Sequence, residues 1–421
     1  MLDIRFIREN SEKVVEAAQN KNEKIAIDEI LALDKKKRKL QFEYDNSKAR
    51  QNKVSKEIPV LKKDKKDIST LLSQMQEISK NVKENAAELN IITKKLDEKL
   101  LRVPNIPDSD VPVGNDESAN RFCREWGTKT QFDFSPKEHL ELCEINNLLD
   151  LKRAGKISGS GFILYTDIGA QLERALINFM MDFHSNKHGY KEMIAPNIVN
   201  RKTMTGTGQL PKLEIDMYHI EEDDLFLIPT SEVSVTNFYS NEIVPQKILP
   251  QKFVSFSPCF RREAGSYGKD TKGLQRIHQF NKVEMVQFVE PENSYKVLED
   301  MVSDAEDILK ALDLPYRVML LATGDLSFAS AKTYDIEVWS HGTGKYLEVS
   351  SISNFEDFQA RRASIRYRNS EDKVNFLHTL NGSGLATPRT FIALIEKYQN
   401  ADGSIDIPDV LQPYLNGRKT I

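Results

Sequence analysis

The chain has 421 residues, of which 29% are charged and 39% hydrophobic, and its formal net charge is −4, so we expect a soluble globular protein of two or three domains. No apolar run approaches the ~20 residues that cross a bilayer, and the charged first ten residues lack the apolar core of a secretory signal. Three cysteines are too few for a disulfide framework and lack the paired spacing of a zinc site, which together predict a cytoplasmic protein without a membrane partner.

A basic stretch from residue 35 to residue 66 is the strongest charge feature of the chain. It contains 13 Lys and Arg against 4 Asp and Glu, a local balance of +9 that leaves −13 for the remainder. A basic segment on an acidic body predicts that this segment alone contacts a polyanion. The alternative, from charge alone, is a solvated helix without a partner.

Residues 27–100 are predicted to form a long helical arm. This region contains no glycine and only one proline, Pro59. Its second half carries a heptad stripe of the coiled-coil type, formed by Ile68, Leu71, Met75, Ile78, Val82, Leu89, Ile92 and Leu96. A sparser stripe in the first half consists of Ile27, Ile30, Leu33, Leu40 and Tyr44. We predict two antiparallel helices of about 30 residues each, reversing near Pro59 and the lysine-rich residues 62–66, with a reach of roughly 45 Å.

Closely spaced prolines between residues 103 and 114 predict the boundary of a second domain. Beyond them, short apolar runs predict strands at residues 225–228, 253–256, 282–289 and 334–339. Helical patterns lie at residues 170–188, 292–312 and 386–399. Since strands and helices do not alternate regularly, we predict an α+β fold with a mostly antiparallel sheet flanked by helices. The glycine-rich segment at residues 158–161 lacks the following Lys-Ser/Thr of a phosphate loop, so a nucleotide site must use side chains.

The segment FRREAGSYGKDTKGLQRIHQFNKVE, residues 260–284, concentrates side chains suited to a nucleotide and an amino acid. We predict a strand, a loop rich in Gly, Ser and Lys, and a returning strand. Arg261 and Glu263 are two residues apart, and Phe280 and Glu284 are four apart, so each pair shares a face of its strand. That face offers a guanidinium for phosphate, carboxylates for an amino group and a ring for a base. The alternative, from these residues alone, is surface charge on an ordinary hairpin.

This segment resembles motif 2 of the class II aminoacyl-tRNA synthetases, and in detail that of the seryl-tRNA synthetase family. Further segments resemble motifs of the same family in the same order, which is far more specific than one motif. They are GYKEMIAP at 189–196 for motif 1, TSE at 230–232 for the serine-recognition loop, LEVSS at 347–351 with SNFEDFQARR at 353–362 for another signature stretch, and NGSGLATPR at 381–389 for motif 3. The sequence departs from the family pattern at Asn281 and at Thr387 and Pro388, to which the resemblance assigns no chemical role.

The resemblance covers essentially the whole chain and implies its domain organisation. Residues 1–103 are expected to bind tRNA through the arm at about residues 27–100, and residues 104–421 to form the class II catalytic domain. Motifs 1, 2 and 3 are expected at about residues 189–211, 253–288 and 380–398. The family further implies a homodimer, with the motif 1 proline at the interface and the tRNA bound across subunits.

The activity that the resemblance implies is that of a serine–tRNA ligase using ATP and Mg²⁺. Such an enzyme converts L-serine and ATP to seryl-adenylate and pyrophosphate, then transfers serine to the 3′ end of tRNA(Ser), and of tRNA(Sec) where that tRNA exists. The implied catalytic residues are Arg261, which bridges the α-phosphate and the serine carboxylate, and Arg389, which reaches the γ-phosphate.

The resemblance also implies residue sets for each substrate. The serine-binding set is Thr230, Ser231, Glu232, Glu284 and Ser383. The ATP-binding set is Arg261, Arg262, Glu263, Ile277, Phe280, Glu348, Val349, Ser350, Ser351 and Arg389. Glu263 is expected to accept from the adenine amino group, and Phe280 to stack on the adenine ring, with Arg389 near its other face. Glu348 and Ser351 are expected to bind Mg²⁺, an ion that prefers oxygen ligands.

Two other functions are compatible with a synthetase-like sequence. The first is a paralogue that loads an amino acid onto a carrier protein, although such relatives lack the tRNA arm. The second is an inactive RNA-binding homologue, which is expected to have lost motif arginines or carboxylates. This chain retains them at Arg261, Glu263, Glu284, Glu348 and Arg389.

Overall fold

The structure is a computed structural model that describes residues 1–263 and 273–421. Most of the loop predicted between the two strands of the 260–284 segment, residues 264–272, lies outside the described residues. The chain forms two compact units, one comprising Leu2–Gln19 and Glu23–Pro104, and the other Met1, Asn20–Asn22 and Asn105–Ile421. None of the helices in the described ranges has the length and apolar character that a membrane crossing requires.

Four helices make up most of the first 100 residues. The helices are α1 (Ile4–Glu9), α2 (Ser11–Asn20), α3 (Ile27–Lys63) and α4 (Ser69–Leu100). Contacts between α3 and α4 join residues progressively nearer the turn: Lys99 with Glu29 at 2.6 Å, Lys36 with Glu88 at 2.7 Å, and Gln51 with Ser79 at 3.0 Å. These pairs make the helices antiparallel, which confirms the predicted arm.

The apolar seam of the arm follows the predicted heptad. Val82, Ile92 and Leu96 are buried, and the other members of the stripe are half-buried. The reversal begins within the lysine-rich residues 62–66, as predicted, but α3 does not break at Pro59, which lies inside the helix. The helix instead ends at Lys63, and Lys65 adopts a left-handed conformation with φ of 54°, as is common just beyond a helix C-terminus.

The second unit combines helices and strands. Its helices are α5 (His139–Ile145), α6 (Leu151–Ser158), α7 (Asp167–Lys187), α8 (Arg201–Thr207), α9 (Glu232–Thr236), α10 (Ser294–Ala311), α11 (Phe358–Ala363) and α12 (Thr387–Lys397). Its strands are β1 (Arg121–Trp126), β2 (Lys191–Glu192), β3 (Ile198–Asn200), β4 (His219–Ile220), β5 (Leu225–Leu227), β6 (Ile243–Pro245), β7 (Gln251–Phe260), β8 (Gln279–Val289), β9 (Tyr316–Leu320), β10 (Lys332–Ser340), β11 (Lys345–Asn354), β12 (Arg366–Arg368), β13 (Val374–Phe376) and β14 (His378–Ala386).

The main sheet has eight strands in the order β1-β9-β10-β11-β14-β8-β7-β2. Its described pairs are antiparallel except β2 with β7, which is parallel. Two small three-stranded sheets, β13-β12-β6 and β3-β5-β4, accompany it. The predicted α+β fold with a mostly antiparallel sheet is therefore confirmed.

Strand β8 lies between the hairpin partner β7 and strand β14, and this position organises the site. Every residue from 282 to 289 is buried, so both faces of the strand are covered, since successive side chains point to opposite faces. Helices α7, α9 and α12 pack against it. Glu284 lies directly opposite Ser383 of β14. The sheet thus brings the segments that resemble motifs 2 and 3 side by side.

Candidate active site

A cavity of about 470 Å³ opens among strands β8, β11 and β14 and the start of α12. It collects side chains that are far apart in the sequence. Of the predicted site residues, those that line it are Thr230, Glu232, Arg261, Glu263, Ile277, Phe280, Glu284, Glu348, Val349, Ser351, Ser383 and Arg389.

Ser231, Arg262 and Ser350 have other contacts. The Ser231 hydroxyl donates to a buried serine hydroxyl on β7 at 2.6 Å. The Ser350 hydroxyl donates to the carbonyl oxygen of Ser383 at 2.5 Å. The backbone N–H of Arg262 donates to the carbonyl oxygen of Asp216 at 3.0 Å. Ser231 and Ser350 therefore brace the wall of the cavity, and the predicted substrate contacts of these residues stay predictions.

Two carboxylates and one ammonium group meet at one end of the cavity. Lys282 Nζ lies 2.6 Å from Glu284 Oε2, and both side chains are almost fully buried. Gln359 Nε2 donates to Glu232 Oε1 at 2.7 Å. Burial, and then the charge of Glu284, raise the pKa of Glu232 to about 7, whereas Lys282 and the hydrogen bond from Gln359 oppose this rise. A second cation fits this end, because it would compensate a carboxylate whose charge burial disfavours.

Thr230 continues the same wall. Its side chain is buried, and its Oγ1 accepts the backbone N–H of Glu232 at 3.2 Å. The residue therefore fixes the first turn of α9, on which Glu232 lies. Ser383 and Asn381 on β14 also line the cavity. A small ligand that carries an ammonium and a hydroxyl group finds charge and hydrogen-bonding partners here.

An aromatic ring and two guanidinium groups form the next part of the wall. The guanidinium carbon of Arg261 lies 5.2 Å from the ring centroid of Phe280, a cation–π distance. Arg276 Nε lies 2.6 Å from Glu263 Oε2. A planar heterocycle with a phosphate matches this combination of ring, guanidinium and carboxylate.

The prediction that Arg261 and Glu263 share a strand face is wrong. Strand β7 ends at Phe260, and Glu263 has a positive φ of 51°. Beyond the strand, the N–H groups of Arg261 and Arg262 bond the carbonyl oxygens of His278 and Asp216. Arg261 thus still bonds the chain that leads into β8, whereas Arg262 bonds a different segment, so the backbone leaves the ladder between Arg261 and Glu263 and the two side chains do not share a strand face.

The far end of the cavity holds Arg389 and Glu348. The Arg389 side chain is 35% exposed and that of Glu348 46% exposed, so both are accessible to a ligand. Ser351 lies beside them on β11, and the register places Asp335 of β10 opposite it. Burial, and then the neighbouring Glu348, hold the pKa of Asp335 well above its usual range.

A hard cation fits the oxygens at this end only in part. Within residues 1–263 and 273–421, no three His, Cys, Asp or Glu side chains cluster as ligands of a metal ion. A cation bound by the Glu348 carboxylate and the Ser351 hydroxyl would take its other ligands from substrate oxygens and water. Mg²⁺ is bound in this way in nucleotide sites.

The sequence patterns do not single out several residues of the cavity. Lys282 alternates with Phe280 and Glu284 on β8, so the period of two that identifies those residues could have identified it too. Arg276 lies inside the 260–284 segment, but nothing in its spacing distinguishes it. Gln359 belongs to the 353–362 stretch, where only its hydrogen bond to Glu232 reveals a role.

Comparisons with known proteins agree with this site over the whole chain. The family model described as seryl-tRNA synthetase N-terminal domain matches residues 1–107. The model described as tRNA synthetase class II core domain (G, H, P, S and T) matches residues 214–398. A serine–tRNA ligase of Natranaerobius thermophilus is 52% identical over 100% of both chains. One of Caldicellulosiruptor saccharolyticus is 53% identical over 99% of both.

Solved structures give the same result for the fold. The seryl-tRNA synthetase from Pyrococcus horikoshii, complexed with ATP, superposes with a TM-score of 0.92 at 38% identity, covering 100% of this chain and 99% of that chain. The cytoplasmic serine–tRNA ligase from Naegleria fowleri, in complex with AMP, has a TM-score of 0.87 at 28% identity, covering 100% and 98%.

Proposed function

This chain belongs to the seryl-tRNA synthetases, class II aminoacyl-tRNA synthetases, and from that premise we propose how its cavity performs the reaction of a serine–tRNA ligase. The enzyme activates L-serine with ATP and transfers the seryl group to tRNA(Ser). The observation that carries the residue assignment is the convergence, in one cavity, of buried carboxylates at one end with Arg261 and Arg389 along the rest.

Serine is assigned to the end that holds Glu232 and Glu284. Its ammonium group pairs with these carboxylates, and its hydroxyl lies among Thr230, Ser383 and the neighbouring polar groups. This assignment is supported by the burial of Glu284 beside Lys282, since the single ammonium group of Lys282 compensates only one of the two carboxylate charges. A pocket that hydrogen-bonds a substrate hydroxyl rejects the analogue that lacks it by ~10⁴–10⁵.

ATP is assigned to the rest of the cavity. Phe280 stacks on the adenine ring, Glu263 accepts from its amino group, and Arg261 binds the α-phosphate together with the serine carboxylate. The carboxylate oxygen of serine attacks the α-phosphorus, and the bond to the pyrophosphate oxygen breaks. Because that carboxylate is already ionised, the step needs no side-chain base, and catalysis consists of positioning and charge neutralisation.

Mg²⁺ is assigned to Glu348 and Ser351. The oxygen chemistry of these two residues fits the ion, and Arg389 lies next to them for the γ-phosphate. When bound, the ion supplies positive charge to the phosphate oxygens. Asp335, which pairs with Ser351 in the register of β10 and β11, would help to orient that hydroxyl.

We propose that residues 1–103 bind the tRNA, with the arm at about residues 27–100 contacting its phosphates. Residues 104–421 are proposed to form the catalytic domain. The basic stretch on α3 supports the assignment of the arm, because phosphate contacts made by lysine and arginine dominate the affinity for nucleic acid. A tRNA(Sec) with the same features would be serylated as well.

Three free cysteines agree with a reducing cytoplasm.

We further propose a homodimer formed through the edge of the main sheet at β2. Strand β2 pairs only with β7 in the described sheet, and large apolar side chains beside it are exposed. Ile194 is 97% exposed, Phe238 51% and Ile198 49%. Large exposed apolar side chains near a sheet edge support such an interface, and a second copy would cover them while the tRNA spans both subunits.

ATP–pyrophosphate exchange with a panel of all amino acids tests the proposed function, followed by charging of tRNA(Ser). Serine is expected to support exchange, and alanine is expected to fail, because the pocket would be left with unpaired polar groups. No exchange with serine would refute the assignment. Serine transfer to a carrier protein in place of tRNA would favour the paralogue, although the arm speaks against it.

A further inference from the structure

Glu173 on α7 is a buried carboxylate that the proposed mechanism does not use. Its side chain is only 5% exposed, and it does not line the cavity. One of its oxygens, Oε1, accepts two hydrogen bonds. Asn281 Nδ2 donates to it at 2.9 Å and Thr387 Oγ1 at 2.5 Å. A single oxygen atom therefore joins three elements, namely α7, β8 and α12.

The two donors lie directly behind cavity residues. Asn281 lies between Phe280 and Lys282 on β8, and both of those neighbours line the cavity. Because successive strand residues face opposite sides, the Asn281 side chain points away from the cavity. Thr387 is the first residue of α12, two positions before Arg389.

Thr387 also contacts β8 directly. Its Oγ1 lies 3.1 Å from the backbone carbonyl oxygen of Asn281, so the single hydroxyl proton is shared between that oxygen and Glu173 Oε1 and ties the start of α12 to both. The Thr387 side chain is fully buried. Helix α12 therefore begins at a position set by hydrogen bonds to β8 and α7, not by packing alone.

We propose that Glu173 is a positioning residue that sets the distance between Phe280 and Arg389, the two groups assigned to opposite faces of adenine. The inference rests on the proposed function of those two residues. Glu173 acts through Asn281 on the strand that carries Phe280, and through Thr387 on the helix that carries Arg389. Buried hydrogen bonds of this kind hold side chains within the narrow tolerance that binding requires.

The affinity for ATP is the property that Glu173 should control. In E173M the side chain keeps its length but offers no acceptor, so Asn281 Nδ2 loses its partner and the Thr387 hydroxyl keeps only the Asn281 carbonyl oxygen. We expect the KM for ATP in pyrophosphate exchange to rise on the order of tenfold, because a buried donor without a partner loses free energy that corresponds to about that factor in affinity. The KM for serine should stay within about twofold, the range of a change remote from the contact.

E173Q separates positioning from charge. The amide keeps Oε1 as an acceptor for Asn281 and Thr387, so the KM for ATP should return close to the wild-type value. A purely structural role would reduce the amount of active enzyme and lower kcat at unchanged KM for both substrates. That outcome, or an unchanged KM for ATP in E173M, would overturn the inference.

E306M is the matched control. Glu306 on α10 is equally buried, at 5% exposure, and its carboxylate accepts from Arg124 at 2.7 Å and Tyr316 at 2.9 Å. It does not line the cavity. E306M should lower the Tm and leave the KM for ATP unchanged. If it raised that KM as much as E173M does, the effect would be general destabilisation and the proposal would be wrong.

T387V keeps the proposal testable if E173M fails to fold. Valine preserves the volume and removes the hydroxyl, so the KM for ATP should rise while the KM for serine does not. KM values equal to those of the wild type would contradict the inference.

R389A tests the premise separately. If R389A leaves the KM for ATP unchanged, the proposed role of Arg389 fails; if R389A raises it but neither E173M nor T387V does, only the positioning role fails.

Discussion

The Arg389 guanidinium donates through Nη1 to the backbone carbonyl oxygen of Glu348 at 2.8 Å and lies 3.2 Å from the carboxylate oxygen Oε2 of the same residue. The group assigned to the γ-phosphate is thus paired with the group assigned to Mg²⁺. A phosphate that binds Arg389 takes away the partner of Glu348, and a cation bound to Glu348 takes away the partner of Arg389. We therefore expect ATP and Mg²⁺ to bind together, since each one compensates the charge that the other leaves unpaired.

E348Q should raise the Mg²⁺ concentration that half-saturates pyrophosphate exchange. The amide keeps the shape but removes the charge that attracts the cation and anchors Arg389. R389A should lower kcat/KM for ATP by about 10²–10³, the usual decrease for a charge-stabilising donor. Titration of exchange with Mg²⁺ measures the first effect. E371Q, which changes an exposed carboxylate, is the control, and an E348Q titration that coincides with it would contradict the metal assignment.

The KM for serine should rise as the pH falls through about 7. Burial and Glu284 raise the pKa of Glu232 to about 7, against Lys282 and Gln359, so the carboxylate that pairs with the serine ammonium becomes protonated below that pH. The rise should approach tenfold per pH unit. E232Q should have a high KM that does not change over this range, and the KM for ATP serves as the internal control. A KM for serine that is constant between about pH 6 and 8 would remove Glu232 from the ammonium site.

The sequence predicts the two helices of the arm, but not the residue at which the first of them, α3, ends. The heptad from Ile68 to Leu96 encodes a seam, since its period matches the geometry of paired helices. Pro59 suggests a break because proline removes a helical donor. In the fold the helix continues past Pro59 for one more turn. Local propensity therefore does not identify the residue at which α3 ends.

Site residues are predictable from the sequence where several reactive side chains lie in one segment. They are missed where only burial in the folded protein shows that a side chain has a role. Phe280 and Glu284 follow from strand alternation. Lys282 looks like an exposed strand lysine until both faces of β8 are known to be covered. Glu173 looks like a polar position of an amphipathic helix, and only its hydrogen bonds to two distant residues reveal its role. The turn at Glu263 depends on hydrogen bonds between distant residues, which a sequence pattern does not encode.

The stability of the enzyme should depend on pH through Glu173. Burial raises the pKa of this carboxyl to about 7, although the hydrogen bonds from Thr387 and Asn281 lower it, whereas a glutamate of the unfolded chain titrates near about 4.3. The folded state therefore binds the proton more tightly. The contribution of Glu173 to the free energy of unfolding is fully present below about pH 4.3 and is lost as the pH rises through about 7. The facing Tyr165 stays neutral, since burial holds its pKa well above the usual value.

E173Q removes this titration and keeps the acceptor. Its stability relative to wild type should therefore increase between about pH 5 and 8, by up to about 3 kcal/mol in the free energy of unfolding. Chemical unfolding of both proteins at the two pH values measures the difference, in which other titrating groups such as Glu232 cancel. E306Q, which changes an equally buried glutamate, is the control for the loss of a buried carboxylate as such. A difference for E173Q that is independent of pH would mean that Glu173 titrates normally.

Shortening the arm should separate the two half-reactions. Gln51 and Ser79 are hydrogen-bonded across the arm at 3.0 Å, so residues 52–78 can be replaced by a short glycine-containing turn while the base of the arm keeps its pairs. Serine-dependent pyrophosphate exchange should be unchanged, because the cavity residues all lie beyond residue 200. Charging of tRNA(Ser) should fall sharply. An equal decrease of both activities would refute the assignment of the arm.

Charge neutralisation within the full-length arm tests the same assignment without a deletion. Arg50, Lys53 and Lys56 on α3 are exposed, and among the ion pairs of the described chain none includes them. R50Q/K53Q/K56Q should raise the KM for tRNA(Ser) and lower the slope of its salt dependence by about one for each phosphate whose partner is neutralised. The matched triple variant on α4, K83Q/K94Q/K95Q, lies outside the basic stretch and should have the smaller effect. If the α4 variant weakens tRNA binding more than the α3 variant does, the tRNA-binding surface lies on the other helix of the arm.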